Sequence, residues 1–415
     1  MNRISLEKIS KIINSGLTPL RSNKEYWIDG NIPWVKTEQL GDKYIYDSNE
    51  KITNYALQNT SIKLNSPNTL SIAMYGEGKT RGSVSILKNE TTTNQACCNI
   101  FIDEEKADFE FVYYNIKTQY NNLRNLSSGV RKNLNSRDIK NFEILLPNLQ
   151  TQKSIAKVLS DLDSKIEINN KINAALEAMA KTLYDYWFVQ FDFPDKNGKP
   201  YKSSEGKMIF NEELKREIPV GWQVKKLKEI AKTGSGGTPL KSKKEYYDKG
   251  NISWINSGEV NASFIISAKK YITQLGLDKS SAKLFKKGTI LMAMYGATAG
   301  QVSLIDFEAC TNQAICGINP IDEKLKYYTK FSLEDLYQYL INLSTGSARD
   351  NLSQDKIKEL NIIIPNEALI SAFHNNINSN FDEILLNLKQ NQKLSELRDW
   401  LLPMLMNGQV SVGEK

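Results

Sequence analysis

The chain says nearly the same thing twice. TPLRSNKEYW begins at Thr18 and TPLKSKKEYY begins at Thr238, which puts Pro19 and Pro239 220 residues apart. At that offset Ser15-Gly16 meets Ser235-Gly236, Gly30-Asn31-Ile32 meets Gly250-Asn251-Ile252, and Trp34 meets Trp254. AMYG at Ala73 returns at Ala293. TNQA at Thr93 returns at Thr311, and LLP at Leu145 returns as IIP at Ile363, now at an offset of 218. The first copy therefore carries two extra residues, in GEGKTRG against GATAG. Matched blocks in one order mean a tandem duplication. A unit this long is a whole domain, since solenoid repeats run about 20–50 residues.

Each copy has two textures. In the first, TLSIAMYG and TILMAMYG read as strands that end at a glycine turn, with GSVSIL and GQVSLI as the next strands. FEFVYYNIKTQYNNLRNL and KLKYYTKFSLEDLYQYLINL carry apolar residues at helical steps. The second texture follows Pro147 and Pro365, which stand as breakers ahead of long helices. One seam runs Ile155, Leu159, Leu162, Ile166, Leu176, Ala180, Leu183, Trp187. The other runs Phe373, Ile377, Phe381, Ile384, Leu388, Leu394, Leu397, Leu401, Leu405. Asn169 and Asn173 fall where the first seam expects apolar residues. Either they are buried polar positions that fix register, or Ile168 and Ile172 take over as the stripe turns. A helix of about 40 residues spans about 60 Å, and one apolar stripe on it needs a partner. The matching helix of the other copy supplies it, antiparallel, because a duplicated unit tends to relate to its copy by a twofold. The expected fold is α+β: two similar globular domains separated by a long antiparallel two-helix coiled coil, with an internal pseudo-twofold. The Pro-, Gly- and Lys-rich FDFPDKNGKPYKSSEGKM reads as an exposed connection.

Little in the chain suits catalysis. The one histidine, His374, sits near the start of the second long helix and reads as structural or solvated. Cys98 and Cys316 match under the 218 offset and read as core thiols. There is no CxxC or HExxH, no Walker-type phosphate loop, no GxGxxG turn and no Asn-Pro-Pro-aromatic motif of amino-methyltransferases. No metal site, and no cofactor on this chain, is expected. Four cysteines do not make a disulfide framework, the start MNRISLEKISK lacks an apolar core of signal-peptide length, and no run of eighteen apolar residues occurs. Those features point to the cytoplasm.

A formal net charge of +7 is compatible with a polyanion. Basic residues gather near the turns: Lys79, Arg81, Arg131, Lys132 and Arg137 in the first copy, and Lys241, Lys243, Lys244, Lys269, Lys270, Lys286, Lys287 and Arg349 in the second. Such side chains neutralise phosphates, although any single lysine equally suits a solvated face. Base readout needs hydrogen-bonding side chains on groove-facing loops. Lys36-Thr37 after Trp34 and Asn256-Ser257 after Trp254 are candidates, with Tyr75, Tyr295 and Thr298 at the MYG turns. The GEGKTRG loop is either a hairpin tip or a phosphate contact.

LPNLQTQKSIAKVLSDLDSKIEINNKINAALEAMAKTLYDYWFVQFDFP resembles the central conserved region of the specificity subunits of type I restriction-modification enzymes. IPWVKTEQL, MYGATAG, TNQA and GSARDNLSQDKIKELNIIIP resemble blocks of that family's target recognition domains. The resemblance covers essentially the whole chain. It implies recognition domains at 1–147 and 221–365, conserved helices at 148–190 and 366–408, and a linker at 191–220. It implies a non-catalytic, prokaryotic subunit in which each recognition domain reads half of a bipartite double-stranded DNA target. The paired helices would set the spacing and dock two methyltransferase subunits, through Leu159, Leu162, Ile166, Leu176, Leu183, Trp187, Phe381, Leu388, Leu394 and Leu401. Restriction subunits would join through the methyltransferase, which would also hold S-adenosylmethionine. The likeness of the two copies points to related half-sites. Three other readings stay open: the DNA-reading part of another multi-subunit or fused restriction system, an enzyme in its own right, and a coiled-coil scaffold.

Overall fold

In the computed structural model, residues 2–126, 133–337, 339–340 and 352–413 are described. The chain divides into two compact units. The first is made of Met1–Ile166 with Lys393–Lys415, the second of Glu167–Gln392.

In the first unit a five-stranded sheet runs Ser10–Ser15, Cys97–Ile102, Thr69–Ala73, Val84–Leu87, Tyr44–Ile45 in spatial order. A three-stranded sheet, Lys51–Ile52, Ile32–Val35 and Thr92–Thr93, stands with it. The second unit repeats the plan. Its five-stranded sheet is Ala231–Ser235, Ile315–Pro320, Ile290–Ala293, Val302–Ile305, Phe264–Ile265. Its smaller sheet gains a fourth strand, Leu284–Phe285, beside Ala309–Thr311. Thr69–Ala73 and Ile290–Ala293 are buried on both faces; the second reads as an unbroken apolar run, and the first buries Thr69 and Ser71 among its apolar residues.

The duplicated phrases lock onto one another inside each unit. The Leu17 amide donates to the Thr93 carbonyl at 2.9 Å, and the Gly237 amide to that of Thr311 at 2.8 Å. Met74 N–H reaches Ala96 at 2.8 Å and Met294 N–H reaches Ala314 at 2.7 Å. Trp34 Nε1 donates to the Leu17 carbonyl at 2.9 Å, and Trp254 Nε1 to that of Gly237 at 3.0 Å. Gly16 and Gly236 are required by close approach: a Cβ would lie 2.2 Å from the Thr93 oxygen and 2.1 Å from Thr311 Oγ1. The repeated phrase is therefore scaffold.

The first long helix is Leu149–Tyr184, continued by a π turn at Asp185–Val189; the second is Glu367–Met406. They pair antiparallel in both units. In the first unit Ile155 and Leu159 share a core with Leu402, Leu405 and Met406, and Arg398 Nη1 donates to Asp163 at 2.7 Å. In the second, Asn169 Nδ2 donates to Asn391 Oδ1 at 2.8 Å, and Asn387 Nδ2 to Asn173 Oδ1 at 3.0 Å. Tyr184 meets Phe373 with ring centroids 6.1 Å apart. The asparagines, not the isoleucines, occupy the seam: Asn169 is 0 % exposed and Ile168 is 51 % exposed. Asn387 and Asn391 are Asn169 and Asn173 carried forward by 218, so the duplication makes a symmetric polar layer.

Two expectations need correction. Leu397 is 44 % exposed; the seam position beside it belongs to Arg398, whose charge is held by Asp163. The segment after the first helix is not a bare connection. Phe191, Phe193 and Ile218 are buried, the Phe193 ring stacks on Tyr201 at 4.6 Å, and Met208–Asn211 pairs with Arg216–Pro219. Its aromatic residues outweigh its turn-rich composition.

The same place in each unit is filled by opposite chemistry. In the first, Lys43, Glu110, Tyr114, Asp163 and Arg398 form a network. Lys43 Nζ donates to Tyr114 Oη at 2.8 Å, Tyr44 donates to Glu110 at 2.5 Å, and Tyr114 donates to Asp163. Burial pushes the Asp163 carboxyl up, but hydrogen bonds from Tyr114 and Arg398 and the charge of Lys43 outweigh it and hold its pKa below the usual value. In the second unit the matching residue is Phe381, stacked on Tyr327 at 4.4 Å.

Candidate nucleic-acid interface

Each unit brings its candidate residues to one rim. In the second unit the strand Ile252–Ile255 runs into Asn256 and the short turn Ser257–Glu259. Tyr295 leads the neighbouring turn Gly296–Thr298, whose tight path is allowed by Gly296 at φ 82° and Gly300 at φ 81°. Thr298 Oγ1 donates to the Ser257 carbonyl at 2.9 Å and fastens the two turns together. Asn256, Ser257, Tyr295 and Thr298 are half-buried. They form one cluster, as a shared readout surface requires. Glu259 holds the edge by accepting from the Asn256 amide at 3.0 Å and the Lys269 amide at 3.2 Å.

In the first unit Lys36 and Thr37 follow the strand Ile32–Val35 in the same way. Here the lysine is engaged. Its Nζ lies 2.8 Å from Glu38 and 2.8 Å from Glu50, and those hydrogen bonds raise its pKa. Glu50 also holds Arg21, whose guanidinium lies 3.8 Å from the Trp27 ring centroid and 4.8 Å from that of Trp34. Any phosphate at Lys36 must compete with two carboxylates. In the second copy Asn256 and Lys270 stand where Lys36 and Glu50 stand in the first.

Tyr75 and Lys79 are exposed, and Arg81 is half-buried. Their loop is tied down by Tyr120, which donates its hydroxyl to the Lys79 carbonyl at 2.7 Å. Arg131, Lys132 and Arg349 lie outside the described residues. Lys287 is paired with Asp306 at 2.7 Å and Lys243 with Glu245 at 3.6 Å, so neither is a free cation.

Among the residues named for the helix interface, Leu159, Trp187 and Phe381 are buried. Leu176, Leu183 and Leu388 pack at the edge of the second unit's core, and Leu401 at that of the first. Leu162, Ile166 and Leu394 are half-buried. Sequence reasoning missed Asn387 and Asn391, which the 218 offset applied to Asn169 and Asn173 finds. It also missed the Lys43–Glu110–Asp163–Arg398 network, whose members come from four distant segments and carry no motif.

His374 stacks on Tyr327 at 5.4 Å, and burial lowers its pKa. All four cysteines are free and buried, and desolvation pushes the Cys97 and Cys316 thiols up to about 12. Such thiols are poor nucleophiles and poor ligands at neutral pH. Among the described residues no cluster of His, Cys, Asp and Glu suits a metal ion, and no helix is long and apolar enough to cross a membrane.

The chain is similar to known proteins along its whole length. The family model described as Type I restriction modification DNA specificity domain matches residues 1–178 and again 219–398. The type I restriction enzyme MjaIX specificity subunit of Methanocaldococcus jannaschii is 30 % identical, over 99 % of this chain and 94 % of that protein. The HindI specificity subunit of Haemophilus influenzae is 27 % identical over 68 % of this chain and 72 % of its own. Among solved structures, the type I restriction-modification S subunit from M. genitalium superposes with a TM-score of 0.64 at 16 % identity. It covers 100 % of this chain and 96 % of its own.

Proposed function

The chain belongs to the family of type I restriction-modification DNA specificity subunits, and from that premise we propose that it reads a bipartite DNA target, one half-site per unit, for methyltransferase subunits that dock on its long helices. One observation carries this reading. The two units share a backbone plan yet present different side chains at the same turns: Lys36-Thr37 against Asn256-Ser257, and GEGKTRG against GATAG. A duplicated scaffold with exchanged loop chemistry is what reading two different base sequences requires. The phrases that repeat are scaffold and carry no base information, so their likeness does not carry over to the half-sites; against the related half-sites expected from the sequence, the exchanged turn residues favour dissimilar ones.

The helices carry exposed apolar residues that suit partners. Ile168, Ile172 and Met179 leave an exposed apolar stripe beside the seam of the first helix. Carried forward by 218, Ile168 becomes the exposed Leu386, whereas Ile172 becomes Gln390. Apolar stripes at heptad spacing suit partner helices. A duplicated pair of helices suits two methyltransferase subunits. Restriction subunits join through those, and S-adenosylmethionine binds the methyltransferase. The role asks for no catalytic group on this chain.

The test is to map methylated bases in a host that carries this chain with its methyltransferase. Two dissimilar half-sites separated by an unread gap are expected. A continuous target, or methylation that survives deletion of this chain, overturns the reading.

A further inference from the structure

Below its glycine-rich loop the first unit holds a cleft of about 470 Å³. Its floor includes Val84 and Tyr113, and its cations are Lys79 and Lys117. Among the described residues no carboxylate lines it. The cleft is built rather than incidental. Tyr120 accepts a hydrogen bond from Arg124 Nη1 at 2.6 Å while donating to the Lys79 carbonyl, which clamps the loop onto the helical segment. Gly82, at φ 86°, lets the loop close there, because a Cβ would lie 2.8 Å from the Arg124 Cγ.

Lys117 is half-buried and makes no ion pair or hydrogen bond among the described residues; its ammonium lies 5.7 Å from the Tyr113 ring centroid. Burial lowers its pKa and the charge of Arg398 lowers it further, against the opposing pull of the Asp163 and Asp399 charges. A partly desolvated cation with no carboxylate in direct contact is costly to keep, and an anion in the cleft relieves that cost. The second unit serves as the contrast. A cleft of about 570 Å³ sits at matching residues, Asn261 for Gly41 and Gly300 for Gly82, but Glu177 and Glu334 line it. Aligning Tyr327-Tyr328 with Tyr113-Tyr114 puts Phe331 where the first unit has Lys117. The same hollow is lined by carboxylates in place of cations, with Glu334 paired to Lys330.

We propose that the cleft of the first unit is a phosphate site, with Lys79 and Lys117 as its cations, that seats one backbone phosphate of the bound duplex. The proposal rests on the DNA-reading role above. Leu40 and Gly41, which directly follow the candidate readout turn at Thr37–Gln39, also line the cleft, so it continues the candidate interface.

The experiment measures duplex binding by the full chain assembled with its methyltransferase subunits, over a range of salt. In Lys79→Met/Lys117→Met, affinity for target and non-target duplex falls alike, by roughly an order of magnitude at low salt. The slope of log K against log salt falls by about one for the lost phosphate contact, and the methylated sequence stays the same. Lys117→Met alone melts no lower than wild type, which separates the effect from misfolding. Glu334→Gln in the second unit leaves the slope unchanged. Wild-type affinity and slope in the double variant overturn the proposal, as does a changed target with an unchanged slope. If the wild-type complex binds no duplex, the DNA-reading role falls and inorganic phosphate becomes the probe. Phosphorus NMR line broadening that the double variant abolishes keeps the cleft as a site for free phosphate, and no broadening in wild type overturns it.

Discussion

Compare the cores of the two units position by position. In the first, Asn99 sits buried and donates to Thr93 Oγ1 at 2.8 Å and to Asn14 at 3.1 Å, while accepting from Ser71 at 2.9 Å. In the second, the same position is Gly317, and the Phe285 ring fills the space; a Cβ on Gly317 would lie 2.3 Å from it. The Asp163–Arg398 pair of the first unit becomes Phe381 and Ala180 at the matched positions of the second. Two interiors of one plan are held by polar contacts in one case and by packing in the other. Neither exchange disturbs the Gly16–Thr93 or Gly236–Thr311 approach. Backbone-to-backbone locks preserve a duplicated fold, and side-chain content behind them is free to diverge provided each polar group keeps its partners.

That contrast can be broken by substitution. The largest effect is expected from Phe381→Ala, which leaves a cavity among Tyr327, Phe264 and Phe331 and costs about 4 kcal/mol in denaturant unfolding. The loss should not vary with mildly acid pH. Asp163→Ala is next, at about 3 kcal/mol near neutral pH, because it removes the buried carboxylate that Arg398 and Lys43 share, leaving Arg398 only the exposed Asp399 and Lys43 only Glu110. This loss does depend on pH. The folded-state pKa of Asp163 is depressed, so its contribution is present above the ordinary carboxylate value of about 4 and is lost as pH falls through the folded-state value. Wild type and variant should converge in acid; a constant difference would show that packing, not charge, holds this site.

Asn391→Ala ranks third, at about 2 kcal/mol, since it takes the donor from Asn170 Oδ1 and one of two acceptors from Asn169 Nδ2, which keeps only Gln390. Replacing Asn169 and Asn391 together by Leu should recover that loss and exceed wild-type stability, with more than one helix register then trapped by cysteine cross-linking. A single register in the double variant would show that the asparagines do not set it. The smallest effect on folding belongs to Lys36→Asn, which gives the first unit the second unit's residue. Melting should not change, because exposed ion pairs contribute little. The base recognised in the first half-site should change, as read by methylated-base mapping.

How much of this was legible beforehand follows from where each contact is encoded. The duplication, the long helices and the Trp34 and Trp254 anchors rest on residues that repeat, and repetition is visible along the chain. Asn169 and Asn173 stood out because they interrupt a period. The stranded cation at Lys117 and the network around Lys43 could not be read, because Lys43, Glu110, Asp163 and Arg398 acquire meaning only when four segments meet. The segment 191–220 misled for a related reason. Its turn residues are local signals, whereas the burial of Phe191 and Phe193 depends on Trp222 and the core behind it.

The first unit is closed by Leu402, Leu405 and Met406, which reach its core from Lys393–Lys415. During synthesis the ribosome delivers residues 1–166 early and these three leucine and methionine side chains last. The second unit, drawn from one uninterrupted stretch of chain, is complete before then. The half that is translated first therefore cannot finish folding until Leu402, Leu405 and Met406 have been made, with Leu159 uncovered in the interval, and a chaperone that shields apolar helix surface has its natural moment there.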